Sequence, residues 1–348
     1  MGGSPLTLVT GATGHLGANL VRRLLADGQR VRVLVRHGRP STALDGLTVE
    51  RSVGDLRDPR SLAAAVAGCA RVFHCAALIE TTSGREHEIF QTNVLGTRHL
   101  LAAAAHAGVT RVVVTGSLGA VGHHPTRPCD ENDPFDPFRK ALPYEHSKAA
   151  MEHECLKAVA EGQDVVIAIS CAIIGANDFK PSRMGRVIRD FANGRMRAFI
   201  PGGFEIVAAR DIVEGHLLAM ERGRSGQRYI FSSEFVSVDT LMARLEEITG
   251  RRRPFRLPPA LMAAFAAVAS PLLSWLAPER PQRLTPGAIR ILQLQRRAST
   301  AKAARELGYQ PTSAKAAVRE AYDWFVATGQ IPHAAATPAA ARSRVEGV

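Results

Sequence analysis

Three glycines near the N-terminus constrain the fold of this chain more than any other feature. Gly11, Gly14 and Gly17 stand between an apolar stretch at 6–10 and an amphipathic stretch whose leucines recur every four residues. A strand, a tight turn and a helix in that order place several backbone N–H groups at a helix N-terminus, where a pyrophosphate can bind. Gly11 permits the turn, Gly14 lets the backbone approach a phosphate, and Gly17 lets the helix pack on the strand. The predicted dinucleotide contacts are Gly11, Thr13, Gly14, His15, Leu16 and Gly17.

The composition is that of a globular protein. The chain has 348 residues, of which 46% are hydrophobic, so it can bury a sizeable core and is not a disordered protein. Its formal charge of +12 leaves two interpretations open: an Arg-rich globular enzyme, or a protein with anionic partners such as nucleotide phosphates or a membrane surface. The basic stretches lack interleaved aromatic residues, which argues against binding of nucleic acid.

The cysteines carry no signature of a metal site or a disulfide framework. All five are scattered, without a C-x-x-C pair or the spacing of metal ligands. We therefore predict no metal, and reduced thiols in a cytoplasmic protein. No charged and then apolar leader precedes the first strand, so no secretory signal is expected.

Strand and helix patterns alternate from the N-terminus to about residue 170. Apolar runs predict strands at 6–10, 31–35, 49–53, 72–77, 111–115 and 164–170. This alternation predicts an α/β fold with a doubly wound parallel sheet. Ligands of such sheets bind at the carboxyl ends of the strands. The residues expected along that edge are Gly11, Arg36, Asp55, Ala76, Ser117 and Ser170.

The end of the second strand faces the adenosine ribose in a fold of this kind. An acidic residue there would accept a hydrogen bond from a free 2′-hydroxyl, whereas an arginine can pair with a 2′-phosphate. The sequence has Arg36 and no acid at this point, so NADP(H) is favoured, and NAD(H) stays open as the alternative. The other interpretation is that Arg36 is merely a solvated residue at the end of the strand.

Two further strand ends supply predicted cofactor contacts. After the third strand, Asp55 can accept a hydrogen bond from the adenine amino group, and Leu56 can cover the ring. After the fourth strand, Ala76 and Ala77 are small enough to let the backbone approach the cofactor. His74, within that strand, is interpreted as a packed residue without a catalytic role.

The reactive residues are predicted to be Ser117, Tyr144 and Lys148. Tyr144 and Lys148 are four residues apart and project from one face of a helix. A nearby ammonium and a nicotinamide cation both favour tyrosinate, so we expect the pKa of Tyr144 to be lowered toward the working pH. Such a tyrosine exchanges a proton with a carbonyl or alcohol oxygen while a hydride moves at carbon, and Ser117 would donate a hydrogen bond to that oxygen.

Together these features resemble the extended short-chain dehydrogenase/reductase family over roughly residues 5–330. The motifs that carry the resemblance are 10–17, the serine-bearing 116–122 and 144–148. Within the family, the chain is most similar to the dihydroflavonol-4-reductase and 3β-hydroxysteroid dehydrogenase-like branch. The resemblance implies a Rossmann-type fold, an NAD(P)-dependent oxidoreductase and a homodimer. It also implies that Asn93 supports the active site from its helix.

Three departures from the family pattern bear on the site. His15 replaces a usual aromatic residue, and Gly116 replaces the usual Ser or Thr before the catalytic serine. Residues 170–175 stand where sugar-nucleotide enzymes commonly carry Arg-Pro and Tyr-Gly-Pro. This last departure argues against a sugar-nucleotide substrate.

The sequence therefore favours a reductase in which NADPH gives hydride to a ketone or enone-type carbonyl of an apolar small molecule. A lipid, polyketide, quinolone or steroid-like compound would suit such a site. Tyr144 would be the acid, Ser117 would bind the carbonyl oxygen, and Lys148 would lower the pKa of Tyr144 and hold the ribose. Two alternatives stay open: a sugar-nucleotide epimerase or dehydratase with tightly held NAD⁺, and a non-catalytic nucleotide-binding protein on this fold.

The C-terminal part is predicted to form a smaller substrate-binding lobe. We assign 1–175 to the dinucleotide-binding domain, with returning elements from about 203–232, and 176–330 mainly to the lobe. The Ala-, Pro- and Arg-rich tail at 331–348 is predicted to be disordered.

The stretch 257–278 is unusual because its 22 residues carry no charge while arginines crowd both flanks. Three interpretations stay open: helices of the lobe, a helix at a membrane interface with arginines at lipid phosphates, and a true membrane span. Interrupting prolines argue against the span. Either of the first two suits an apolar substrate that enters beside this segment, so a peripheral membrane contact is kept as an alternative for a cytoplasmic protein.

Overall fold

Seven parallel strands form the larger sheet. The computed structural model describes residues 4–39, 41–80, 84–138, 141–258 and 286–332. The strands of this sheet are β1 (Leu6–Thr10), β2 (Arg30–Val35), β3 (Glu50–Val53), β4 (Arg71–His74), β5 (Arg111–Ser117), β6 (Val165–Ser170) and β10 (Arg228–Phe231). Their order is β3-β2-β1-β4-β5-β6-β10, and every neighbouring pair is parallel. The order reverses between β1 and β4, and such sheets bind ligands at this switch point. The predicted fold class is confirmed.

Helices cover both faces of this sheet. One face packs against α1 (His15–Ala26), α7 (Ala209–Arg222) and α10 (Ala301–Leu307). The other packs against α2 (Pro59–Val66), α4 (Gly96–His106) and α5 (Pro143–Ala160). Consecutive residues of β5 belong to different cores, Val113 to the first and Val114 to the second, because successive side chains of a strand point to opposite faces. Burial on both sides explains why the strand is valine-rich.

The smaller lobe is built on two short sheets. One consists of β7 (Ala172–Ile174), β9 (Gly203–Ala208) and β11 (Glu234–Ser237), and the other of β8 (Ala198–Phe199) and β12 (Phe255–Arg256). The lobe helices are α6 (Arg183–Ala192), α8 (Val238–Thr249), α9 (Pro286–Leu294) and α11 (Ala314–Ala327). Helices α6, α8 and α11 enclose a core of their own against β9 and β11.

Two helices begin with capping residues that the sequence already shows. Asp58 caps α2 by accepting a hydrogen bond from the backbone N–H two residues on, and Pro59 occupies the first helical position. Ser237 caps α8 in the same way by accepting from the backbone N–H of Thr240. Gly250 ends α8 with a φ of +68°, a conformation that glycine adopts without strain.

Two predicted elements have different boundaries in the structure. The fourth strand ends at His74, not Ala77, because the N–H of Ala76 donates to Thr10 Oγ1 (3.3 Å) and so leaves the ladder. The helix predicted over 86–107 consists of α3 (Glu86–Phe90), a π-turn (Gln91–Leu95) and α4. The π-turn carries Asn93 and so changes the direction in which this side chain points.

The segment predicted to return to the dinucleotide-binding domain, about 203–232, contributes to both sheets. β9 pairs with β7 and β11 in the small sheet, and Val207 of β9 packs in the core of the large sheet. α7 packs on the large sheet, and β10 joins it beside β6. α10, within the range assigned mainly to the lobe, also packs against the large-sheet core.

Two predicted features lie outside the described residues. They are the uncharged stretch 257–278, from residue 259 onward, and the tail from residue 333. No helix within the described ranges is both long enough and apolar enough to cross a membrane.

The turn between β1 and α1 depends on glycine at two positions. Gly11 has a φ of +69°, and a Cβ there would lie 2.6 Å from the backbone nitrogen of Ala76. A Cβ on Gly17 would lie 2.2 Å from the carbonyl oxygen of Gly11. Gly14 differs, because the nearest atom to a Cβ there is that same oxygen, at 3.3 Å. Gly11 and Gly17 therefore let the backbones pack closely, while Gly14 leaves open surface.

Alanine substitutions at Gly14 and Gly17 should distinguish a glycine that is needed for backbone packing from one that leaves space for a ligand. We expect Gly17→Ala to lower the free energy of unfolding by about 1–3 kcal/mol, because the new methyl group forces the backbone apart. Gly14→Ala should cost less than about 1 kcal/mol, the size of a changed helix cap. Urea unfolding of both variants measures the difference, and equal losses would contradict the close contact at Gly17.

Candidate active site

The N-terminus of α1 presents backbone amides at the switch point of the sheet. Its N-cap residue is Gly14, and no side chain caps the helix. Gly14 is exposed, Thr13 and His15 are partly exposed beside it, and Leu16 is buried. The first-turn N–H groups and the open surface at Gly14 fit a pyrophosphate, which the positive end of the helix also favours.

The side chain of His15 has a structural partner. Its Nε2 donates to the carbonyl oxygen of Ala176 (3.0 Å), and the Asn19 amide donates to the same oxygen (3.0 Å). Asn177 in turn donates to Asn19 Oδ1 (3.0 Å). These bonds tie α1 to the segment after β7. Because the ring is held in this way, the backbone of His15 is the part that remains available for the predicted cofactor contact.

The edge predicted to receive the adenosine is rich in arginine. Arg36 is exposed at the end of β2. Asp55, at the end of β3, accepts from Arg57 at both carboxylate oxygens (2.9 and 3.0 Å). Hydrogen bonds from Arg57, and at longer range the charge of Arg36, hold the pKa of Asp55 below its usual value. Asp55 is therefore a carboxylate. It can accept a hydrogen bond from the adenine amino group only while it also accepts from Arg57.

The predicted contacts Leu56, Ala76 and Ala77 are placed differently from one another. Leu56 is only 6% exposed, and a Cβ on Gly96 would lie 2.8 Å from its own Cβ, so its side chain packs on α4. Little of Leu56 is left to cover an adenine ring. Ala76 and Ala77 are partly exposed, and the backbone of Ala76 lies against Gly11. Ala76 thus borders the glycine turn, and the cofactor contacts of Ala76 and Ala77 stay predictions.

Ser117 and Tyr144 meet where β5 ends and α5 begins. Ser117 is the last residue of β5, and its hydroxyl accepts from the N–H of Gly119 (3.2 Å). Burial raises the pKa of Tyr144 to about 12, and a hydrogen bond with Ser117 opposes this shift. Loss of hydration outweighs both this hydrogen bond and the positive charge of Arg183, so in the protein without coenzyme the pKa of Tyr144 lies above its usual value. Tyr144 is a neutral phenol at neutral pH and so a proton donor.

Lys148 is a buried amine one turn further along α5. It is 3% exposed, and its Nζ donates to the carbonyl oxygen of Thr115 (2.7 Å) and lies 3.5 Å from Met151 Sδ. Burial lowers the pKa of Lys148 to about 8, and the negative charge of Glu152 opposes this shift. Both protonation states of Lys148 are therefore populated slightly above neutral pH.

A histidine that the sequence analysis gave no role holds Thr115 in place. His216 Nδ1 donates to the carbonyl oxygen of Ile212 (2.7 Å), which leaves Nε2 to accept from Thr115 Oγ1 (2.9 Å). Burial lowers the pKa of His216 to about 4, so the ring is uncharged. His216 thereby orients Thr115, whose carbonyl oxygen accepts from Lys148. Because the ring is neutral, it does not repel the ammonium of Lys148.

A second buried histidine links the glycine turn to the helix that carries Asn93. Thr10 Oγ1 donates to His74 Nδ1 (2.7 Å), His74 Nε2 donates to Thr97 Oγ1 (2.9 Å), and Thr97 donates to the Asn93 carbonyl oxygen (2.7 Å). Burial lowers the pKa of His74 to about 3. His74 is a neutral packing residue, as the sequence analysis interpreted it.

Asn93 uses its whole amide within the protein. Its Oδ1 accepts from the N–H of Leu78 (2.7 Å), and its Nδ2 donates to the Leu78 carbonyl oxygen (3.0 Å) and to Ser147 Oγ (3.0 Å). Ser147 donates to the carbonyl oxygen of Tyr144 (2.8 Å). Through these bonds Asn93 connects the segment after β4 to the first turn of α5, which carries Tyr144.

Glu152 is a buried acid that the sequence analysis missed. It follows Lys148 by one helical turn, is 5% exposed, and accepts from an Arg228 NH group at 3.0 Å. A Cβ on Gly116 would lie 3.3 Å from Glu152 Oε1, so the small residue at 116 leaves room for this carboxylate. The spacing Tyr144, Lys148, Glu152 is the signal that would have pointed to it.

The cluster suits proton transfer at an oxygen next to a hydride acceptor. A neutral phenol, a hydroxyl and an amine with a pKa near neutrality converge at the carboxyl end of β5. Within the ranges that the structure describes, no three His, Cys, Asp or Glu residues group as metal ligands do.

Comparison with known proteins places this chain among nucleotide-dependent enzymes. Residues 7–231 match the model of the NAD dependent epimerase/dehydratase family. The chain is 46% identical over 326 residues to sterol demethylase protein B of Methylococcus capsulatus, covering 93% of this chain and 99% of that protein. It is 35% identical over 329 residues to a putative dihydroflavonol 4-reductase of Synechocystis sp., covering 93% and 95%. The crystal structure of gox2253 superposes with a TM-score of 0.82 at 34% identity, covering 94% of this chain and 100% of the other.

Removing the buried amine should stabilise the protein. The folded pKa of Lys148 is about 8 against an ordinary 10.5, so burying the ammonium costs about 3 kcal/mol below pH 8. We expect Lys148→Met to raise the free energy of unfolding at pH 7 by about 2–3 kcal/mol, a gain that loss of the hydrogen bond to Thr115 reduces. The difference should vanish as the pH rises from 8 to 10.5, where the unfolded lysine also loses its proton.

Chemical unfolding of wild type and variant at several pH values measures this difference. Lys157→Met is the matched control on the same helix, since the Lys157 side chain is 62% exposed. It should change stability little at any pH. A Lys148→Met protein less stable than wild type at pH 7 would show that the ammonium is not destabilising.

Proposed function

The chain belongs to the NAD dependent epimerase/dehydratase family, in its extended short-chain dehydrogenase/reductase branch, and from that premise we propose that it reduces a ketone with NADPH. It is an NAD(P)-dependent oxidoreductase with a Rossmann-type fold. The proposed substrate is an apolar small molecule, steroid-like or lipid-like, with a ketone or enone-type carbonyl. Stereochemistry aside, the product is the corresponding secondary alcohol.

One observation carries the assignment of Tyr144 as the acid. Tyr144 has a pKa raised to about 12 by burial, so it holds its proton at neutral pH. A protonated phenol is an acid, and reduction of a carbonyl needs an acid at the oxygen.

Each of the three residues has a defined part in the proposed reaction. A bound nicotinamide coenzyme supplies the hydride that adds to the carbonyl carbon. Ser117 donates a hydrogen bond to the carbonyl oxygen, and Tyr144 gives its phenolic proton to the same oxygen. Lys148, with a pKa of about 8, holds the ribose and assists return of a proton to the phenolate. The overall change consumes one ketone, one NADPH and one proton.

Support for NADPH over NADH comes from the end of β2. Arg36 is exposed there, and Arg57 extends from the neighbouring β3 end across Asp55. A guanidinium pairs with a phosphate through two parallel hydrogen bonds, so Arg36 suits a 2′-phosphate. No acidic side chain follows β2 to accept from a free 2′-hydroxyl.

Support for an apolar substrate comes from relatives and from exposed apolar residues near the site. The names of the relatives quoted above refer to a sterol and to a dihydroflavonol. Ile79, beside the Leu78 that Asn93 holds, is 62% exposed, and Phe138, in the loop before α5, is 96% exposed. An apolar ligand bound next to Leu78 would cover the exposed side chain of Ile79. All five cysteines are free thiols, which supports a reducing compartment such as the cytoplasm.

Replacing the tyrosine hydroxyl tests the proposed reaction. A panel of steroidal and other apolar ketones with NADPH should identify a substrate for the wild type. Tyr144→Phe should then lower kcat at least about 100-fold, the usual contribution of a general acid, while NADPH affinity stays the same. Tyr322→Phe, a tyrosine packed at the lobe core, is the control and should keep full activity. Full activity in Tyr144→Phe would contradict the assignment of the acid.

A further inference from the structure

A basic pocket lies on the smaller lobe, apart from the cofactor edge. Its volume is about 360 Å³, and it is formed by the segment after α6 and the segment after α8. The β8–β12 pair joins the two segments, with the N–H of Phe255 donating to the carbonyl oxygen of Arg197 (3.1 Å). Four arginines line this pocket: Arg197, Arg251, Arg252 and Arg253.

The positive charge of this pocket is poorly compensated. Among the residues that the structure describes, Arg253 alone of the four has an acidic partner, Glu246, at 2.7 Å. Arg197, Arg251 and Arg252 form no ion pair with any residue in the described ranges, and no acidic side chain lines the pocket there. The Arg251 guanidinium lies over Gly194, 3.0 Å from where a Cβ would stand. Like charges that line one pocket repel one another, so an anion among them is favoured.

The ligand that fits carries both a phosphate and an apolar part. Guanidinium groups bind phosphate oxygens through paired hydrogen bonds. Phe255, in the same pocket, is 81% exposed, and Met196 and Pro254 add further apolar lining. A soluble phosphate would leave this aromatic side chain in water. At a membrane surface, by contrast, an aromatic ring enters the boundary between headgroups and acyl chains.

We propose that this pocket binds the phosphate of an anionic phospholipid and holds the protein on a membrane surface, with Phe255 in the headgroup region. The stretch 257–278, which follows the pocket residues in sequence, carries no charge. Such binding would bring the enzyme to the compartment in which apolar substrates dissolve. The proposal does not depend on the reductase activity.

Co-sedimentation of the full chain with lipid vesicles tests the proposal. We expect binding to phosphatidylcholine vesicles that contain phosphatidylglycerol, and much weaker binding to phosphatidylcholine alone. Arg197→Gln/Arg252→Gln should weaken binding about 25-fold, because each basic residue near an anionic surface contributes about fivefold. Arg305→Gln/Arg319→Gln removes the same charge from exposed sites outside the pocket and should change binding less than about twofold.

A second variant separates the apolar contribution from the charge. Phe255→Ala should weaken binding at high salt, where electrostatic attraction is screened, as well as at low salt. Equal urea unfolding midpoints in all variants will show that the fold is intact. Arg252→Lys should keep most of the binding, because the attraction to an anionic surface comes mainly from charge. Failure of the wild type to bind anionic vesicles, or full binding by the Arg197→Gln/Arg252→Gln variant, would overturn the proposal. Binding of inorganic phosphate in the pocket without vesicle binding would also overturn it, in favour of a soluble ligand.

Discussion

The buried ammonium of Lys148 is the interaction on which the rest of the site depends. A charge this deep in a protein is unfavourable unless polar groups are held around it. The Thr115 carbonyl oxygen at 2.7 Å provides the strong acceptor, and neutral His216 fixes Thr115 without adding repulsion. Glu152 supplies a negative charge one turn along the helix, in space that Gly116 leaves free. β5 carries both Thr115 and Ser117. The strand whose carbonyl oxygen accepts from Lys148 therefore also supplies the Ser117 hydroxyl.

Burial shifts the two titratable groups of α5 in opposite directions. The pKa of Tyr144 rises to about 12, and the pKa of Lys148 falls to about 8. Each shift follows from the same loss of hydration, since a phenol is neutral when protonated and an amine is neutral when deprotonated. Pairs whose pKa values are pushed apart in this way define which group is acid and which is base. Here the tyrosine keeps its proton, and the lysine gives one up most easily.

Features set by neighbouring residues were predicted from the sequence more fully than features set by distant ones. The glycine turn and the caps at Asp58 and Ser237 depend on neighbouring residues along the chain, and the structure has them. The alternation of strands and helices predicted the parallel sheet, but which strands pair depends on partners far away in sequence, so pattern alone did not show that β9 pairs with β7 and β11. His216 and Glu152 belong to helix patterns that are ordinary in themselves, and only their distance to Thr115 and Lys148 shows their part. The pKa of Tyr144 depends on burial, which spacing does not reveal.

The central claim is that the nicotinamide coenzyme is an exchangeable substrate of a reductase. The most direct measurement is to denature the purified protein with acid, identify any nucleotide released, and titrate the untreated protein with NADPH and NADH by fluorescence. The account predicts little bound nucleotide and tighter binding of NADPH than of NADH. Stoichiometric NAD⁺ in the acid supernatant, with no uptake of added coenzyme, would contradict the account, because that result describes an epimerase that regenerates its coenzyme in every turnover.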